Sequence, residues 1–172
     1  MQKRAECILK RQAVLGEGPV WDGHRKRLFF VDITGKKINS YDPKTGEIRS
    51  IDTQKPVGCI VFDSSNNIIS AEQNMLVRID PDTNERTEIL HFDLEDYIRF
   101  NDGKCDAFGR LWVGTMAIDQ SHPAAKECGS LFCADEKGNI REVLNTMAIP
   151  NGIAFSEDNQ SFYHIDTATQ QI

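Results

Sequence analysis

The chain has 172 residues, 40% of them hydrophobic, which is enough for one domain with its own core. Its formal net charge of −6 is spread along the sequence, which argues against a nucleic-acid partner because nucleic-acid binders concentrate Lys and Arg on one face. No apolar run is long enough to span a membrane, and no apolar stretch follows the charged first residues as it would in a secretory signal.

The first predicted element is a β-strand over residues 6–14, and after it one strand–turn–strand layout recurs four times. In each copy, an apolar strand ends in a polar turn and a second apolar strand follows. The copies are GPVWDGHRKRLFFVD (residues 18–32), GCIVFDSSNNIISAE (58–72), GKCDAFGRLWVGT (103–115) and GIAFSEDNQSFYHID (152–166). Their equivalent residues Leu28, Ile68, Leu111 and Phe162 are separated by 40, 43 and 51 positions.

A second hairpin is predicted after each of the first three copies. These hairpins read KINSYDPKTGEIRSI, LVRIDPDTNERTEIL and SLFCADEKGNIREVL. Their turns begin with Asp and contain Gly or Asn, which accept the left-handed backbone conformation that such turns require. The chain is therefore expected to be all-β, with four strands in each repeat.

Four strands per repeat of about 40 to 50 residues are typical of a β-propeller blade. A β-sandwich also uses short strands with regular turns, but it does not require self-similar segments. We expect one partial propeller domain over residues 1–172, with blades that start near residues 17, 57, 102 and 151 and amount to about three and a half. The strand over residues 6–14 would complete a last blade that this sequence does not supply, so a fragment, a truncated gene product or one half of an assembly is expected.

One position of the repeat is rich in oxygen-bearing side chains. The residue before the glycine that opens each copy is Glu17, Val57, Asp102 and Asn151 in turn. Inner strands of a propeller converge on one axis, and a ring of carboxylate and amide oxygens suits a hard divalent cation. Each of these residues taken singly is more often part of a turn, and their recurrence at one position is what favours a metal site.

Two further segments lie at the same predicted end of the channel. One contains Arg99 and Asn101, and Arg99 could bind an anionic or hydroxylated substrate. The other ends at Asp119, which could accept a hydrogen bond from a substrate hydroxyl or cap the next turn. An isolated arginine is more often an exposed surface residue. No nucleophile motif such as G-x-S-x-G is present.

Three motifs of the sequence resemble those of the family of senescence marker protein, regucalcin, gluconolactonase and luciferin-regenerating enzyme. The resemblance rests on LGEGPVWD, RFNDGKCDAFGRLWVGTMAID and IPNGIAFSED, in that order and spacing, and it runs from about Val14 to the end of the chain. It implies a six-bladed β-propeller with one divalent cation in the channel, of which this chain corresponds to the N-terminal half. It also implies hydrolysis of sugar lactones.

The resemblance also implies roles for individual residues. Glu17 and Asn151 correspond to metal ligands, and Arg99, Asn101 and Asp119 correspond to groups that contact substrate, although many relatives have Glu in place of Asp119. The family's third ligand is an aspartate that is also the proposed general base. It is expected beyond Ile172, the last residue of this sequence, so the catalytic group stays unknown.

The resemblance and the repeat disagree at one position. The repeat favours Asp102 as a ligand, whereas the family motif favours Asn101 as a substrate contact, and a shift of one residue is within the error of aligning repeats. We follow the motif here.

The predicted function is metal-dependent hydrolysis of a sugar lactone, with Ca²⁺, Zn²⁺, Mn²⁺ or Mg²⁺ as the cofactor. The alternatives are a non-catalytic calcium-binding or regulatory propeller and a hydrolase of organophosphate-type esters. For the 172-residue chain alone, weak metal binding and little activity are expected. Its open blade edges would allow self-association.

The cysteines bear on where the protein resides. Their number is odd and no C-x-x-C pair occurs, which suits free thiols in a reducing compartment better than disulfides. The five are Cys7, Cys59, Cys105, Cys128 and Cys133. A cytoplasmic location is therefore expected.

Overall fold

The computed structural model describes residues 5–10 and 13–172, and these residues form fourteen β-strands and no α-helix. None of them forms a helix that could cross a membrane. The prediction of an all-β chain is confirmed.

The strands form three sheets of four antiparallel strands and one sheet of two, which we call blades 1 to 4. Blade 1 contains β1 (Gly16–Asp22), β2 (Arg27–Asp32), β3 (Lys37–Tyr41) and β4 (Ile48–Asp52). Blade 2 contains β5 (Val57–Phe62), β6 (Ile68–Glu72), β7 (Met75–Ile79) and β8 (Arg86–His91). Blade 3 contains β9 (Ile98–Cys105), β10 (Leu111–Ala117), β11 (Gly129–Ala134) and β12 (Ile140–Met147). Blade 4 contains β13 (Pro150–Phe155) and β14 (Phe162–Asp166).

Within each blade the strands are paired in chain order, so every predicted hairpin is present. The inner strands β1, β5, β9 and β13 lie beside one another in that order, which places the blades around an arc. A sandwich would instead stack two sheets face to face. The prediction of a partial propeller is therefore confirmed, and the sandwich alternative is excluded.

The strand predicted over residues 6–14 is the exception. Residues 6–10, 13 and 14 are not in a strand, and residues 11 and 12 lie outside the described part of the chain. The side chains of Ile8 and Val14 are exposed, so the apolar pattern of this segment finds no sheet here to pack on. The segment carries apolar residues, as the sequence indicated, but a strand also needs a partner to satisfy its backbone.

The three outer hairpins share the same type of turn. Each turn begins with an aspartate whose carboxylate accepts the N–H of the residue two positions later, which is an Asx turn. These bonds join Asp42 to Lys44 (2.8 Å), Asp80 to Asp82 (2.8 Å) and Asp135 to Lys137 (2.9 Å). The left-handed residues of the turns are Gly46, Asn84 and Gly138. The Gly and Asn of the sequence therefore stand where the backbone requires them.

The core lies between neighbouring blades. One buried cluster fills the space between blades 1 and 2, and a second fills the space between blades 2 and 3. In the second cluster, Phe92 meets the ring of Phe100 edge to face, with centroids 4.9 Å apart. Because Phe100 belongs to β9 and is flanked by Arg99 and Asn101, the packing between blades also fixes the predicted substrate residues.

Acid is expected to destabilise the fold through its hydrogen-bonded aspartates. Asp106 is nearly buried, and although burial alone would raise its pKa, hydrogen bonds from Trp112 Nε1 (2.9 Å) and from Arg110 lower it overall. A folded-state pKa below the unfolded value gives stability that is fully present above about pH 4 and is lost as the pH falls through the folded-state value. Urea unfolding between pH 2 and 7 should show this loss, with a shallower slope for Asp106→Asn. A slope unchanged by the substitution would contradict this account.

Candidate functional site

The predicted site residues stand at the start of the inner strands, where every inner strand has a β-bulge. In blades 1, 2 and 4, the pairing register of the inner strand shifts between Glu17 and Val20, between Val57 and Cys59, and between Asn151 and Ile153. In blade 3, the shift lies on β9 opposite Gly114 of β10. A bulge bends its strand and redirects the side chains beside it, and bulges are enriched next to active sites. The four blades thus share one distortion, at the position that the repeat identified from sequence.

The residues that follow the candidates in the chain line one cavity of about 450 Å³. Its walls include Gly18 from β1, Cys59 from β5, Asp102 from β9 and Gly152 from β13. This cavity is the channel between the inner strands, and one residue or bulge from each blade borders it. Glu17 and Asn151 directly precede two of these lining residues, Gly18 and Gly152.

Glu17 and Asn151 have oxygen atoms available for a ligand. Glu17 is exposed, and its carboxylate makes no hydrogen bond or ion pair within the described residues. Asn151 is half-buried and its Nδ2 donates to Thr167 Oγ1 at 3.4 Å, which leaves Oδ1 without a partner among those residues. One carboxylate and one amide oxygen are the donors that an oxygen-preferring divalent cation takes. The oxygen donors of Glu17 and Asn151 are therefore of the chemical type that such a cation binds.

The number of donors is small. Across residues 5–10 and 13–172, no three His, Cys, Asp or Glu side chains lie close enough together to hold a metal ion. A cation at Glu17 and Asn151 would need further oxygen ligands, which water or substrate can supply.

The third ligand and general base, expected beyond Ile172, have no counterpart among the residues that line the described channel. Ile172 itself is 86% exposed and does not border the cavity. Its side chain is a hydrocarbon, so it can neither bind a cation nor take a proton. The catalytic aspartate therefore stays a prediction about residues outside this sequence.

Asp102 has a structural role that the repeat could not reveal. One carboxylate oxygen accepts the N–H of Gly103 at 2.9 Å, and the other accepts the N–H of Gly152 at 2.9 Å. The bond to Gly152 fastens blade 3 to blade 4 beside Asn151, and the bond to Gly103 is local to β9. Asp102 therefore has a structural role between the two blades.

Arg99 and Asn101 form a buried pair instead of an exposed loop. Arg99 Nη1 donates to the carbonyl oxygen of Phe100 at 2.8 Å and to Asn101 Oδ1 at 3.0 Å. Asn101 Nδ2 in turn donates to the carbonyl oxygen of Pro150 at 2.9 Å. This chain of bonds holds the guanidinium of Arg99 next to the residue that precedes Asn151. The alternative of an exposed surface arginine is excluded, because Arg99 is only 6% exposed.

The charge of Arg99 is balanced across the channel. Burial lowers the pKa of Arg99, and the carboxylate of Glu17 opposes that shift. A buried guanidinium near an unpaired carboxylate leaves the site close to neutral but strongly polar. The Nε and Nη2 groups of Arg99 make no hydrogen bond with the described residues, so they can donate to a bound molecule.

Asp119 lies just past the end of β10, at the end of blade 3 where β9 begins. The pairing of Ala117 with Ile98, together with the bond from Ile118 N to Tyr97 O, places it on the same side as Arg99. Asp119 is exposed, and its Oδ1 accepts the N–H of Ser121 at 2.8 Å. Its carboxylate thus caps a turn, the alternative role foreseen from sequence, and it remains exposed to solvent.

Sequence reasoning missed two aspartates that contact the backbone before Glu17 and Asn151. Asp32 and Asp166 end the second strands of blades 1 and 4. Their signal is visible in the sequence, because both of these copies finish in an apolar residue followed by Asp. The two carboxylates are treated below.

Gly58 allows the inner strands to approach closely, and its replacement is expected to disturb the site. A Cβ at this position would meet the carbonyl of Asn101 and would lie 2.6 Å from the carbonyl oxygen of Phe100. Backbone atoms cannot move aside cheaply, so Gly58→Ala should cost about 1–3 kcal/mol of unfolding free energy and displace β9. Thermal and urea unfolding measure the cost. Gly23→Ala, where the added Cβ meets nothing within 4 Å, is the control, and an equal effect of both would contradict the argument.

Comparison with known proteins agrees with the geometry. The SMP-30/Gluconolactonase/LRE-like region family matches residues 15–172. Regucalcin of Danio rerio is 30% identical over 164 residues, which are 95% of this chain and 55% of that protein. The 6-deoxy-6-sulfogluconolactonase of Pseudomonas putida is 27% identical over 168 residues, with 97% and 56% covered.

A solved structure shares the fold. The regucalcin of Agrobacterium tumefaciens str. C58, described as a calcium-binding protein, superposes with a TM-score of 0.85 at 25% identity, over 94% of this chain and 53% of that chain. The chain thus spans about half the length of the relatives it matches. With the family matched over nearly all of its residues, the chain belongs to the SMP-30, gluconolactonase and luciferin-regenerating enzyme family.

Proposed function

We propose that the channel of this protein serves the hydrolysis of a sugar lactone, with one divalent cation bound by Glu17 and Asn151. The observation that carries the proposal is the pair of unbonded oxygens, one on each residue, at equivalent bulges beside the buried guanidinium of Arg99. Family membership supports lactone chemistry, since relatives at about 30% identity or below include proteins named as lactonases.

The cation can be Ca²⁺, Mg²⁺, Mn²⁺ or Zn²⁺, because all of these accept carboxylate oxygen and the first three prefer oxygen throughout. When bound, it would polarise the lactone carbonyl and stabilise the charge that develops on its oxygen. Glu17 supplies the negative charge of the site and Asn151 a neutral oxygen. Asp102 is not proposed as a ligand, because the resemblance favours Asn101 and the Asp102 carboxylate joins β9 to β13 through the N–H of Gly152.

The neighbouring residues would orient the substrate. Arg99 would donate its unbonded N–H groups to the substrate from a guanidinium that Asn101 holds in place. Asn101 keeps one N–H and one lone pair after its two bonds, so it can contact a sugar hydroxyl as well. Asp119 would accept a hydrogen bond from another hydroxyl through its exposed carboxylate. Fixed polar groups of this kind recognise a polyhydroxylated ring.

The reaction itself adds one water to the lactone carbonyl carbon and breaks the ring C–O bond, which yields a hydroxy acid. The resulting carboxylic acid releases a proton. The step needs a group that takes a proton from water. In the described channel no side chain is assigned this role. The acidic residue that the resemblance implies in a later blade, beyond Ile172, is the group we propose for the complete propeller.

Two alternative functions remain as outcomes of the test. The first is binding of a cation without catalysis, which the calcium-binding regucalcin of A. tumefaciens suggests by its description. The second is hydrolysis of an organophosphate-type ester at the same kind of site. Both use the oxygens of Glu17 and Asn151, so turnover of substrates is what separates them.

The test is a pH-stat assay on the 172-residue protein with D-glucono-δ-lactone and, separately, with a phosphotriester, in the presence of each of the four cations. We expect a small lactone rate above the spontaneous rate, no rate with the phosphotriester, and loss of the lactone rate on chelation. Glu17→Gln should lower the metal-dependent rate at least about 10-fold, because the carboxylate charge that attracts the cation is lost.

Glu136→Gln is the matched control, since Glu136 is exposed in the outer turn of blade 3. A cation bound without any lactone turnover would favour the binding function. Turnover of the phosphotriester alone would favour the ester hydrolase. A lactone rate that Glu17→Gln leaves unchanged would overturn the assignment of this residue.

We also propose that the protein resides in the cytoplasm and can associate with a second copy. All five cysteines are free thiols in the structure, as expected in a reducing compartment. The outer edge of β14 has only an isolated bridge, between Asp166 and Gln171, so most of its backbone groups remain open to another strand. Light scattering over a range of protein concentrations would detect association, and a constant monomer mass would contradict it.

A further inference from the structure

Asp32 fixes the backbone immediately before Glu17. Its carboxylate accepts three backbone N–H groups: from Val14 at 3.0 Å, from Leu15 at 3.0 Å and from Gly35 at 3.1 Å. Burial alone would raise the pKa of Asp32, but these three bonds and the charge of Lys37 lower it overall, which favours the charged carboxylate. The segment that leads into β1 is therefore held to the end of β2, two residues before the ligand.

Asp166 fixes the backbone before Asn151 in the same way. Its carboxylate accepts the N–H groups of Ala148 at 3.0 Å, Ile149 at 2.9 Å and Ala168 at 3.2 Å. Here too burial raises the pKa and the hydrogen bonds lower it overall. The segment that leads into β13 is thus held to the end of β14.

The two arrangements share their bonds to the segment before the ligand, and they differ only in the third N–H group, which belongs to Gly35 in blade 1 and to Ala168 in blade 4. Each aspartate follows the candidate ligand by 15 positions and accepts from residues 17 and 18 positions before itself. The residue after each aspartate also donates to the same segment, from Ile33 N to Leu15 O at 2.9 Å and from Thr167 N to Ile149 O at 3.0 Å. We call this arrangement the carboxylate clamp.

The other two blades lack the clamp. The same position of the repeat is Glu72 in blade 2 and Ala117 in blade 3. Glu72 is buried and bonds to Ser70 Oγ at 2.6 Å and to Arg86, not to the segment before Val57. Alanine has no carboxylate at all. The clamp therefore occurs in the two blades that carry the proposed ligands and in neither of the blades that do not.

We propose that Asp32 and Asp166 are positioning residues, which hold Glu17 and Asn151 at the geometry that a cation requires. This inference rests on the proposed function of the channel. Ligands must be held within about 0.5 Å of their productive position, and the partners that orient them typically change metal affinity 10–100-fold when removed. The clamped N–H groups of Leu15 and Ile149 lie two positions before the ligands in the chain, so a loosened segment moves the ligand with it.

The test titrates the 172-residue protein with Mn²⁺ by calorimetry and measures Tb³⁺ luminescence decay in H₂O and D₂O, which counts waters on the bound ion. Asp32→Asn and Asp166→Asn keep the side-chain volume but weaken the clamp. Each should reduce Mn²⁺ affinity 10–100-fold and increase the waters on Tb³⁺ by about one, because a displaced protein ligand is replaced by water.

Two further variants make the result specific. Asp135→Asn removes a carboxylate that accepts two backbone N–H groups in an outer turn of blade 3, and it should leave both readouts unchanged. Gly35→Ala keeps Asp32, but its Cβ would collide with the Asp32 carboxylate, so it should reproduce the effect of Asp32→Asn without changing the charge. Gly35→Ala also serves if Asp32→Asn fails to fold.

The outcomes separate this inference from the proposed function. If the protein binds Mn²⁺ through Glu17 but the clamp variants bind it as tightly as Asp135→Asn does, the positioning role is wrong and the metal site stands. If the clamp variants lose affinity but no lactone is hydrolysed under any condition, the positioning role stands and the lactonase function is wrong. A wild-type chain that binds no Mn²⁺ overturns both.

Discussion

Replacing Phe100 with alanine is expected to reduce the free energy of unfolding by about 3–5 kcal/mol, the cost typical of removing a buried phenylalanine. Phe100 has no solvent exposure and packs edge to face against Phe92. It lies between blades 2 and 3, where no side chain can enter from solvent to fill the cavity. Urea unfolding followed by circular dichroism measures the loss.

The matched control is Phe108→Ala, because Phe108 is 71% exposed in a turn of blade 3. We expect this change to stay within about 0.5 kcal/mol. Similar losses for Phe100 and Phe108 would show that the space between the blades is not the core described here. The Phe100→Ala substitution is also expected to disturb the site, since Arg99 and Asn101 flank Phe100 in the chain.

Replacing Arg86 with alanine is expected to be the second large effect, at about 3–5 kcal/mol, because it leaves a buried carboxylate unpaired. Arg86 Nη2 donates to both oxygens of Glu72, at 2.7 and 2.8 Å, and Glu72 is only 1% exposed. Removing both charges together, as in Glu72→Gln with Arg86→Met, should recover most of the loss. A double-mutant cycle measured by urea unfolding gives the coupling.

Arg49→Ala is the control for the exposed case. Arg49 and Glu47 also form an ion pair, at 3.0 Å, but both side chains are largely in water. Such pairs contribute about 0–1 kcal/mol. Equal losses for the Arg49 and Arg86 variants would mean that burial of Glu72 does not decide the cost.

Much of the fold was predictable because the strands and turns are local. The alternation of apolar residues and the Asp, Gly and Asn of the turns occur within a few positions of one another, so each hairpin could be predicted from its own segment. The strand predicted over residues 6–14 failed for the opposite reason. Its apolar pattern is typical of a strand, but a strand also needs a partner strand. The sequence of the segment does not show whether that partner exists.

The sequence indicated where the bulges of the inner strands lie but not the bonding of the residues beside them. The recurrence of an oxygen-bearing residue before glycine found the bulged ends of the inner strands, including Glu17 and Asn151. It could not show that both oxygens of Asp102 are bonded to the N–H groups of Gly103 and Gly152, because those bonds span up to 50 residues. The family motif, which favours Asn101 over Asp102, carries that information indirectly.

Two features of the site emerged only from tertiary structure. Arg99 is buried and fastened through Asn101 to Pro150, whereas its sequence context allowed an exposed arginine. The clamp of Asp32 and Asp166 was visible as an Asp at the end of two copies, but its meaning depends on which N–H groups it accepts. Long-range hydrogen bonds therefore decide what each polar residue does in this chain.

The central claim is that Glu17 and Asn151 hold a divalent cation in the channel, and anomalous diffraction tests it most directly. Crystals of the 172-residue protein grown with Mn²⁺ should show one strong anomalous peak, about 2.0–2.6 Å from a Glu17 carboxylate oxygen and from Asn151 Oδ1. The peak should be absent from crystals of Glu17→Gln grown in the same way. A channel without a peak, or a peak that contacts neither residue, would contradict the claim.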